Sequence, residues 1–161
     1  MSLLPLEVLN AGMIDNIVGF KFGTRGHSEG AGSFLGMVCA EINPETGVSH
    51  CYFDVEDKHL LFTNQLHGGC TAAFLDTAMP LVVYPFVPTG SWVATMNLNI
   101  NYLKSVEGGR VDAYSTIHSL GKTSSFVTAR VENEGRVVAL GSSSMMIKRF
   151  DPKNLKGETW R

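Results

Sequence analysis

The most apolar stretch of the chain is QLHGGCTAAFLDTAMPLVVY, residues 65–84. Its apolar residues do not form one stripe at helical spacing, so the pattern predicts a long helix covered on every side by the fold. One carboxylate, Asp76, interrupts it, and a carboxylate in apolar surroundings is unfavourable unless it is paired or has a function. Pro80 removes a backbone hydrogen bond to the Asp76 carbonyl and predicts a kink, and the segment PFVPTG at 85–90 ends the helix.

Alternating apolar and polar residues predict strands on both sides of this helix. Before it, residues 34–43 and 48–56 flank the turn signal NPETG, which predicts a hairpin. After it, the segments with strand-like alternation are 91–103, 110–120, 123–133 and 136–149. In the first of these segments, Trp92 and Tyr102 are predicted to share one face and Thr95 to lie on the other.

The element order β-β-α-β-β-β-β predicts an α+β fold in which a six-stranded antiparallel sheet curves around one long central helix. A second subunit is expected to cover what the sheet leaves open. Residues 5–15 predict a short helix, and residues 19–36 predict a glycine-rich loop or irregular strands. The expected division of a single domain over 1–161 is an N-terminal helix and glycine-rich lead-in (1–33), a core (34–149) and a polar tail (150–161).

Composition and charge narrow the classes of function. The 161 residues carry a formal charge of −2 and a pI near 6.2, which gives no case for nucleic acid or an anionic membrane as partner. Cys39, Cys51 and Cys70 lack metal-ligand spacing, and an odd number of cysteines indicates a reducing compartment. The first residues lack a signal-peptide pattern, and no apolar run reaches the roughly 18 residues of a membrane span. We therefore expect a cytoplasmic protein without a bound metal.

The turn into the helix, His67-Gly68-Gly69, has the features of an oxyanion site. Two glycines let a ligand approach the backbone closely. The first N–H groups of a helix lack intrahelical partners and lie at the positive end of its dipole, so they can stabilise negative charge developing on a carbonyl oxygen.

The position of Asp76 relative to this turn predicts a dimer. Asp76 follows Gly68 by eight residues, which is about 12 Å along a helix and about 80° around it. One chain therefore cannot easily place both groups on the same carbon atom. Two antiparallel helices related by a two-fold axis can, which predicts two sites shared between two subunits.

The segment LHGGCTAAFLDTA resembles the HGG-x6-D signature of hotdog-fold acyl-CoA thioesterases, in the branch of the phenylacetyl-CoA (PaaI-like) enzymes. MNLNINYLKSVEGG is similar to the third strand of that family and SLGKTSSFVTARVENEGRVVALGSSSMMI to its closing strands, so the resemblance covers about 34–149. It implies the hotdog fold, a homodimer or homotetramer, and hydrolysis of an acyl-CoA to a free acid and CoA. CoA is then part of the substrate, and no separate cofactor is implied.

The resemblance also implies roles for individual residues. Asp76 matches the catalytic carboxylate, which acts either as general base on water or as nucleophile. Gly68 matches the glycine whose N–H polarises the thioester carbonyl, and His67 is the motif histidine beside it. Thr95 matches a Ser/Thr position that helps to place the attacking water. The candidates for substrate contact are Asn64, Gly69, Thr77, Lys122 and Thr123, the last two at a turn suited to the CoA phosphates.

Two positions depart from the family pattern. The family usually has Asn or Gln six residues before the motif histidine and glycine three before it, where this chain has Leu61 and Asn64. Asn64 is a candidate to supply the missing amide from a shifted position. A structural alternative for Asp76 is a buried carboxylate held by hydroxyls such as that of Thr77. The alternative functions are a hotdog dehydratase or hydratase and a non-catalytic acyl-CoA-binding module.

Overall fold

The computed structural model describes residues 6–22 and 31–149. The described helices are α1 (Ala11–Ile17), α2 (Ala31–Leu35) and α3 (Gly68–Leu81), with short 3-10 turns at Asp57–His59 and Tyr84–Phe86. The described strands are β1 (Val38–Asn43), β2 (Val48–Asp54), β3 (Ser91–Thr95), β4 (Asn99–Tyr102), β5 (Arg110–Leu120), β6 (Ser124–Asn133) and β7 (Arg136–Arg149).

The strands form one antiparallel sheet in the order β1-β2-β5-β6-β7-β3, and β4 also pairs with β7. Helix α3 contacts β2, β3, β5, β6 and β7, so the sheet wraps around it. Phe74, Leu75 and Met79 of α3 are fully buried, and the Phe74 ring packs edge-on against Phe53 of β2 with 4.8 Å between ring centroids. The predicted hotdog architecture, a curved antiparallel sheet around one long helix, is confirmed.

The predicted strand over 91–103 is two strands, because a β-bulge separates β3 from β4. The N–H groups of Met96 and Asn97 both donate to the Ser144 carbonyl, at 2.9 and 3.4 Å, so two residues stand opposite one. The Asn97 side chain secures the bulge, since its Oδ1 accepts the Ser144 N–H at 3.0 Å.

The bulge changes which residues face the helix. Before it, Val93 is buried and Trp92 is half exposed, so Thr95 shares the inner face with Val93. After it, Ile100 packs against the core and Tyr102 reaches α3. The prediction that Trp92 and Tyr102 share a face was wrong, because one extra residue inverts the alternation.

One stripe of α3 is not covered by the sheet within a single subunit, and this is the surface that a second subunit is expected to cover. Asp76 and Gly69 are exposed on this stripe, and small or short residues around them are half-buried. The open stripe consists of Gly69, Ala72, Ala73, Asp76, Thr77 and Pro80. By length and composition alone, the segment Gly68–Phe86, which contains α3, could cross a membrane. However, 61% of its most apolar stretch is buried inside the fold. It is the core helix.

Helix α3 ends one residue after Pro80. The Val83 N–H donates to the Pro80 carbonyl at 3.0 Å, three residues back, and the chain continues as the 3-10 turn Tyr84–Phe86. The irregularity expected at Pro80 is therefore a change from α-helical to 3-10 hydrogen bonding.

The N-terminal segment differs most from the sequence-based expectation. The short helix predicted over 5–15 begins later, at Ala11, and the region read as loop or irregular strand contains α2. A five-residue helix is too short for its spacing to be recognised. The first strand accordingly begins at Val38, after α2 has packed against α3. Residues 23–30 and the predicted tail, 150–161, lie outside the described residues.

Candidate active site

A tight hairpin leads into α3 and explains why asparagine stands at position 64. The Leu61 N–H donates to the Gln65 carbonyl at 2.7 Å, and the Asn64 N–H donates to the Leu61 carbonyl at 2.9 Å. Asn64 has a φ of +59°, the left-handed region that glycine and asparagine tolerate best. Asn64 therefore supplies the backbone conformation of the glycine usual at this position in the family. Its side chain is exposed, and its substrate contact stays a prediction.

His59 anchors the base of this hairpin, a role that the sequence analysis missed. The ring is fully buried: its Nδ1 accepts the Glu56 N–H at 2.9 Å, and its Nε2 donates to the Phe34 carbonyl at 3.1 Å. The His59 carbonyl accepts the His67 N–H at 2.9 Å. Both ring nitrogens are hydrogen-bonded, so His59 links α2 to His67, the first residue of the turn into α3.

His67 is the N-cap of α3, and it accepts hydrogen bonds from the N–H groups of Gly69 and Cys70 but not from that of Gly68. Its Nδ1 accepts the Gly69 N–H at 2.8 Å, and its carbonyl accepts the Cys70 N–H at 2.8 Å. Among residues 6–22 and 31–149, no hydrogen bond uses the Gly68 N–H. Of the two glycine N–H groups, the one on Gly68 is therefore free for a ligand, at the positive end of the helix.

The cap also fixes the tautomer of the exposed His67 ring. Because Nδ1 accepts an N–H, a neutral ring carries its proton on Nε2. A Cβ at Gly69 would lie 2.8 Å from this Nδ1, so Gly69 is needed for the cap itself. The predicted contact of Gly69 with substrate is thus limited to its backbone, whose N–H is already bound.

Tyr102 of β4 completes the surroundings of Gly68 and was not among the predicted site residues. Its hydroxyl donates to the Gly68 carbonyl at 2.8 Å, and a Cβ at Gly68 would meet its ring at 3.3 to 3.4 Å. The partners are 34 residues apart in sequence. The ring reaches α3 only because of the bulge before β4, so no local pattern indicated this contact.

Asp76 lies on the open stripe of α3, exposed and without a hydrogen bond or ion pair to any described residue. The Thr77 hydroxyl donates to the Ala73 carbonyl at 2.8 Å, so it does not hold Asp76, and the structural alternative is not supported. The helix is continuous from Gly68 to Asp76, which keeps the two groups about 12 Å apart along its axis within one chain. Thr95 ends β3 on the inner face, immediately before the bulge.

Comparison with known proteins identifies the family of the chain. The family model of the thioesterase superfamily matches residues 64–147, which include the turn, α3, the strands β3 to β6 and most of β7. The chain belongs to the thioesterase superfamily. Its reaction class is therefore thioester hydrolysis. No curated protein matches the chain.

Solved structures of thioesterases share the fold. A thioesterase from Haemophilus influenzae is similar with a TM-score of 0.72 and 20% identity, over 83% of this chain and 95% of its own. A thioesterase-like, phenylacetic acid degradation-related protein from Ralstonia eutropha has a TM-score of 0.69 and 23% identity, over 76% and 94%. A mutant of the phenylacetic acid degradation protein PaaI from Thermus thermophilus has a TM-score of 0.63 and 23% identity, over 72% and 95%.

Lys122 and Thr123 lie at the other end of the subunit from Gly68. Their turn joins β5 to β6, and the Thr123 carbonyl accepts the Ile147 N–H at 2.8 Å. Lys122 lines a largely apolar groove of about 620 Å³ together with Arg149, beside the segment that follows α3. Neither cation has an ion pair with a described residue. Within one chain, this groove and the N-terminus of α3 are separate.

Cys70 lacks the properties of a catalytic nucleophile. Burial raises the pKa of its thiol, which donates to the His59 carbonyl at 3.7 Å. A thiol with a raised pKa is a poor nucleophile at neutral pH. Among residues 6–22 and 31–149, no three His, Cys, Asp or Glu side chains come together as metal ligands.

Proposed function

We propose that this thioesterase hydrolyses acyl-CoA thioesters to a free carboxylic acid and CoA. The observation that carries the proposal is the free Gly68 N–H at the N-terminus of α3, on the helix that also presents the exposed carboxylate of Asp76. One is a donor for a carbonyl oxygen and the other is an acceptor for a proton of water. Acyl transfer to water needs both groups.

In the proposed reaction, the Gly68 N–H donates to the thioester carbonyl oxygen and stabilises the negative charge that develops there. Asp76 takes a proton from the attacking water, which the Thr95 hydroxyl orients, and the water oxygen bonds to the carbonyl carbon. The carbon–sulfur bond then breaks, and the proton held by Asp76 passes to the CoA sulfur. A direct attack of Asp76 on the thioester, followed by hydrolysis of the anhydride, uses the same groups.

Each site is proposed to combine Gly68 of one subunit with Asp76 and Thr95 of a second copy of this chain. The separation of Gly68 and Asp76 along one helix supports this arrangement, because one chain cannot easily bring both groups to the same carbon atom. Two open surfaces support it: the uncovered stripe of α3, and the outer edge of β4, which among the described strands pairs only with β7. Exposed apolar side chains follow this edge, among them Met96, Tyr102 and Leu103, each more than half exposed. The resulting assembly is a homodimer, or a homotetramer built from it.

Lys122 and Thr123 are the proposed contacts for the CoA phosphates. Lys122 and Arg149 line a groove whose other walls are largely apolar, with Glu7 as the one acidic residue among the described lining residues. Two cations beside an apolar surface fit a chain that ends in phosphates. CoA enters as part of the substrate and leaves as product, so the reaction needs no further cofactor.

A panel of acyl-CoA esters tests this function. Short, medium, long and aromatic acyl-CoAs are incubated with the protein, and release of the CoA thiol is followed. We expect hydrolysis of at least one class, with faster turnover than for the same acyl group on a truncated pantetheine thiol, because the truncated thiol lacks the phosphates. The proposal fails if no thiol is released from any ester. Hydration of an enoyl-CoA without thiol release, or tight binding without product, would identify the dehydratase and binding-module alternatives.

Mixing two inactive variants tests the shared site. Asp76→Ala removes the carboxylate and Gly68→Pro removes the N–H, so each homodimer lacks one group at both of its sites. A heterodimer of the two variants keeps one intact site, so a one-to-one mixture is expected to recover roughly a quarter of the wild-type activity. Differently tagged chains, purified through both tags, establish that heterodimers are present. If such heterodimers are as inactive as the parents, the two groups do not come from different subunits.

A further inference from the structure

The peptide unit between Gly68 and Gly69 is held on both of its edges by side chains. The Tyr102 hydroxyl donates to its carbonyl at 2.8 Å, and its N–H donates to His67 Nδ1 at 2.8 Å. The side chains of His67 and Tyr102 therefore fix the plane of this peptide unit, which joins two glycines. Glycine is otherwise the residue with the greatest backbone freedom.

The position of Tyr102 is set by the sheet rather than by the helix. Tyr102 pairs with Ala139 of β7, and the next residue, Leu103, donates its N–H to the Val138 carbonyl at 2.8 Å. Its ring also lies against Gly68, since a Cβ there would be 3.3 Å from the ring. Tyr102 thus holds Gly68, the first residue of α3, in a fixed position relative to β4.

The contact of Tyr102 with Gly68 affects the direction of the Gly68 N–H, which the turn leaves free. The Gly68 N–H belongs to the preceding peptide unit, whose carbonyl is held by the Cys70 N–H at 2.8 Å. With the peptide units before and after Gly68 both restrained, rotation at Gly68 cannot turn its N–H away. An oxyanion donor is effective when its direction is fixed before the reaction begins.

We propose that Tyr102 is a positioning residue for the oxyanion site: its hydroxyl and ring hold the Gly68–Gly69 peptide so that the Gly68 N–H points at the thioester oxygen. This inference rests on the proposed function. Tyr102 acts through Gly68, so its loss is expected to slow the chemical step and to leave substrate binding nearly unchanged.

The Tyr102→Phe variant removes the hydroxyl and keeps the ring. We expect kcat to fall by about five- to tenfold, the effect of one hydrogen bond, with KM within about twofold of the wild type. Tyr52→Phe is the matched control, because the Tyr52 hydroxyl has no hydrogen bond to a described residue and its ring stacks with Arg110 on the outer face of the sheet. It should keep the wild-type kcat. Size-exclusion chromatography confirms that both variants keep the wild-type assembly.

A second measurement separates positioning from a general loss of stability and does not need activity. In protein labelled with ¹⁵N-glycine, Tyr102→Phe should shift the amide signals of Gly68 and Gly69 and speed hydrogen exchange at Gly69. Gly90, where an added Cβ would meet no atom within 4 Å, should be unaffected. An unchanged kcat together with unchanged Gly68 and Gly69 signals overturns the inference, and so does a lower kcat with unchanged signals. If the wild type hydrolyses no thioester, the proposed function has failed, and the amide signals still report whether Tyr102 holds the turn.

Discussion

Asp76→Asn is expected to lower kcat for acyl-CoA hydrolysis by about a hundred- to ten-thousandfold, the range found when a general base is lost. Asparagine keeps the size and shape of the side chain but cannot accept the proton of the attacking water. Asp76 is exposed on α3 and has no hydrogen bond to a described residue, so the change removes no internal contact of the subunit. The loss should therefore fall on kcat, while KM and the melting temperature stay close to the wild type.

The matched control for this change is Asp54→Asn. Asp54 is also an exposed carboxylate, at the end of β2, and it pairs with Arg110 at 3.3 Å on the protein surface. It should keep full activity, because surface ion pairs contribute little and Asp54 alternates with the buried Phe53, so its side chain lies on the face of β2 opposite to α3. Steady-state rates with the best ester of the acyl-CoA panel decide the matter. Full activity in Asp76→Asn would remove this carboxylate from the mechanism.

Gly68→Pro is expected to lower kcat by about a hundred- to a thousandfold, because proline has no N–H to donate to the oxyanion. The helix should tolerate this change. Gly68 is the first residue of α3, the position that proline favours, and His67 has the extended conformation (ψ of 128°) that suits a residue before proline. Circular dichroism can verify that the helix content is unchanged.

The comparison with Gly68→Ala isolates the N–H from the added carbon. Alanine keeps the N–H, and its Cβ would meet the Tyr102 ring at 3.3 Å, which a small shift of that exposed ring relieves. We therefore expect alanine to retain most of the activity that proline loses. Equal losses in the two variants would mean that crowding against Tyr102, rather than the missing N–H, causes the defect.

The candidate site could be predicted from the sequence because its central elements are local. The cap by His67, the free N–H of Gly68 and the carboxylate of Asp76 lie within one helical segment, and the spacing of Gly68 and Asp76 follows from helix geometry alone. The order of strands and helix was also legible, because alternation over long strands such as β5 and β7 is a strong local pattern.

Position 64 shows a requirement of the backbone that the sequence analysis did not recognise. From the sequence, Asn64 is a candidate to replace a missing amide. In the structure its positive φ accounts for it, because asparagine is the common substitute for glycine in the left-handed region. The family pattern compares side chains, whereas the requirement at this position is one of backbone conformation.

The sequence by itself determined the central helix, the antiparallel strands around it and the pairing of a helix N-terminus with a carboxylate two turns away. Only the tertiary structure decided which stripe of α3 stays open and which side chain reaches Gly68. Both depend on contacts between distant segments: the sheet covers all of α3 except the side of Asp76, and Tyr102 reaches the helix because one extra residue in the bulge turns its strand over. A sequence pattern reflects the properties of neighbouring residues. It contains no information about hydrogen bonds to a distant strand, and those bonds cause the change of face here.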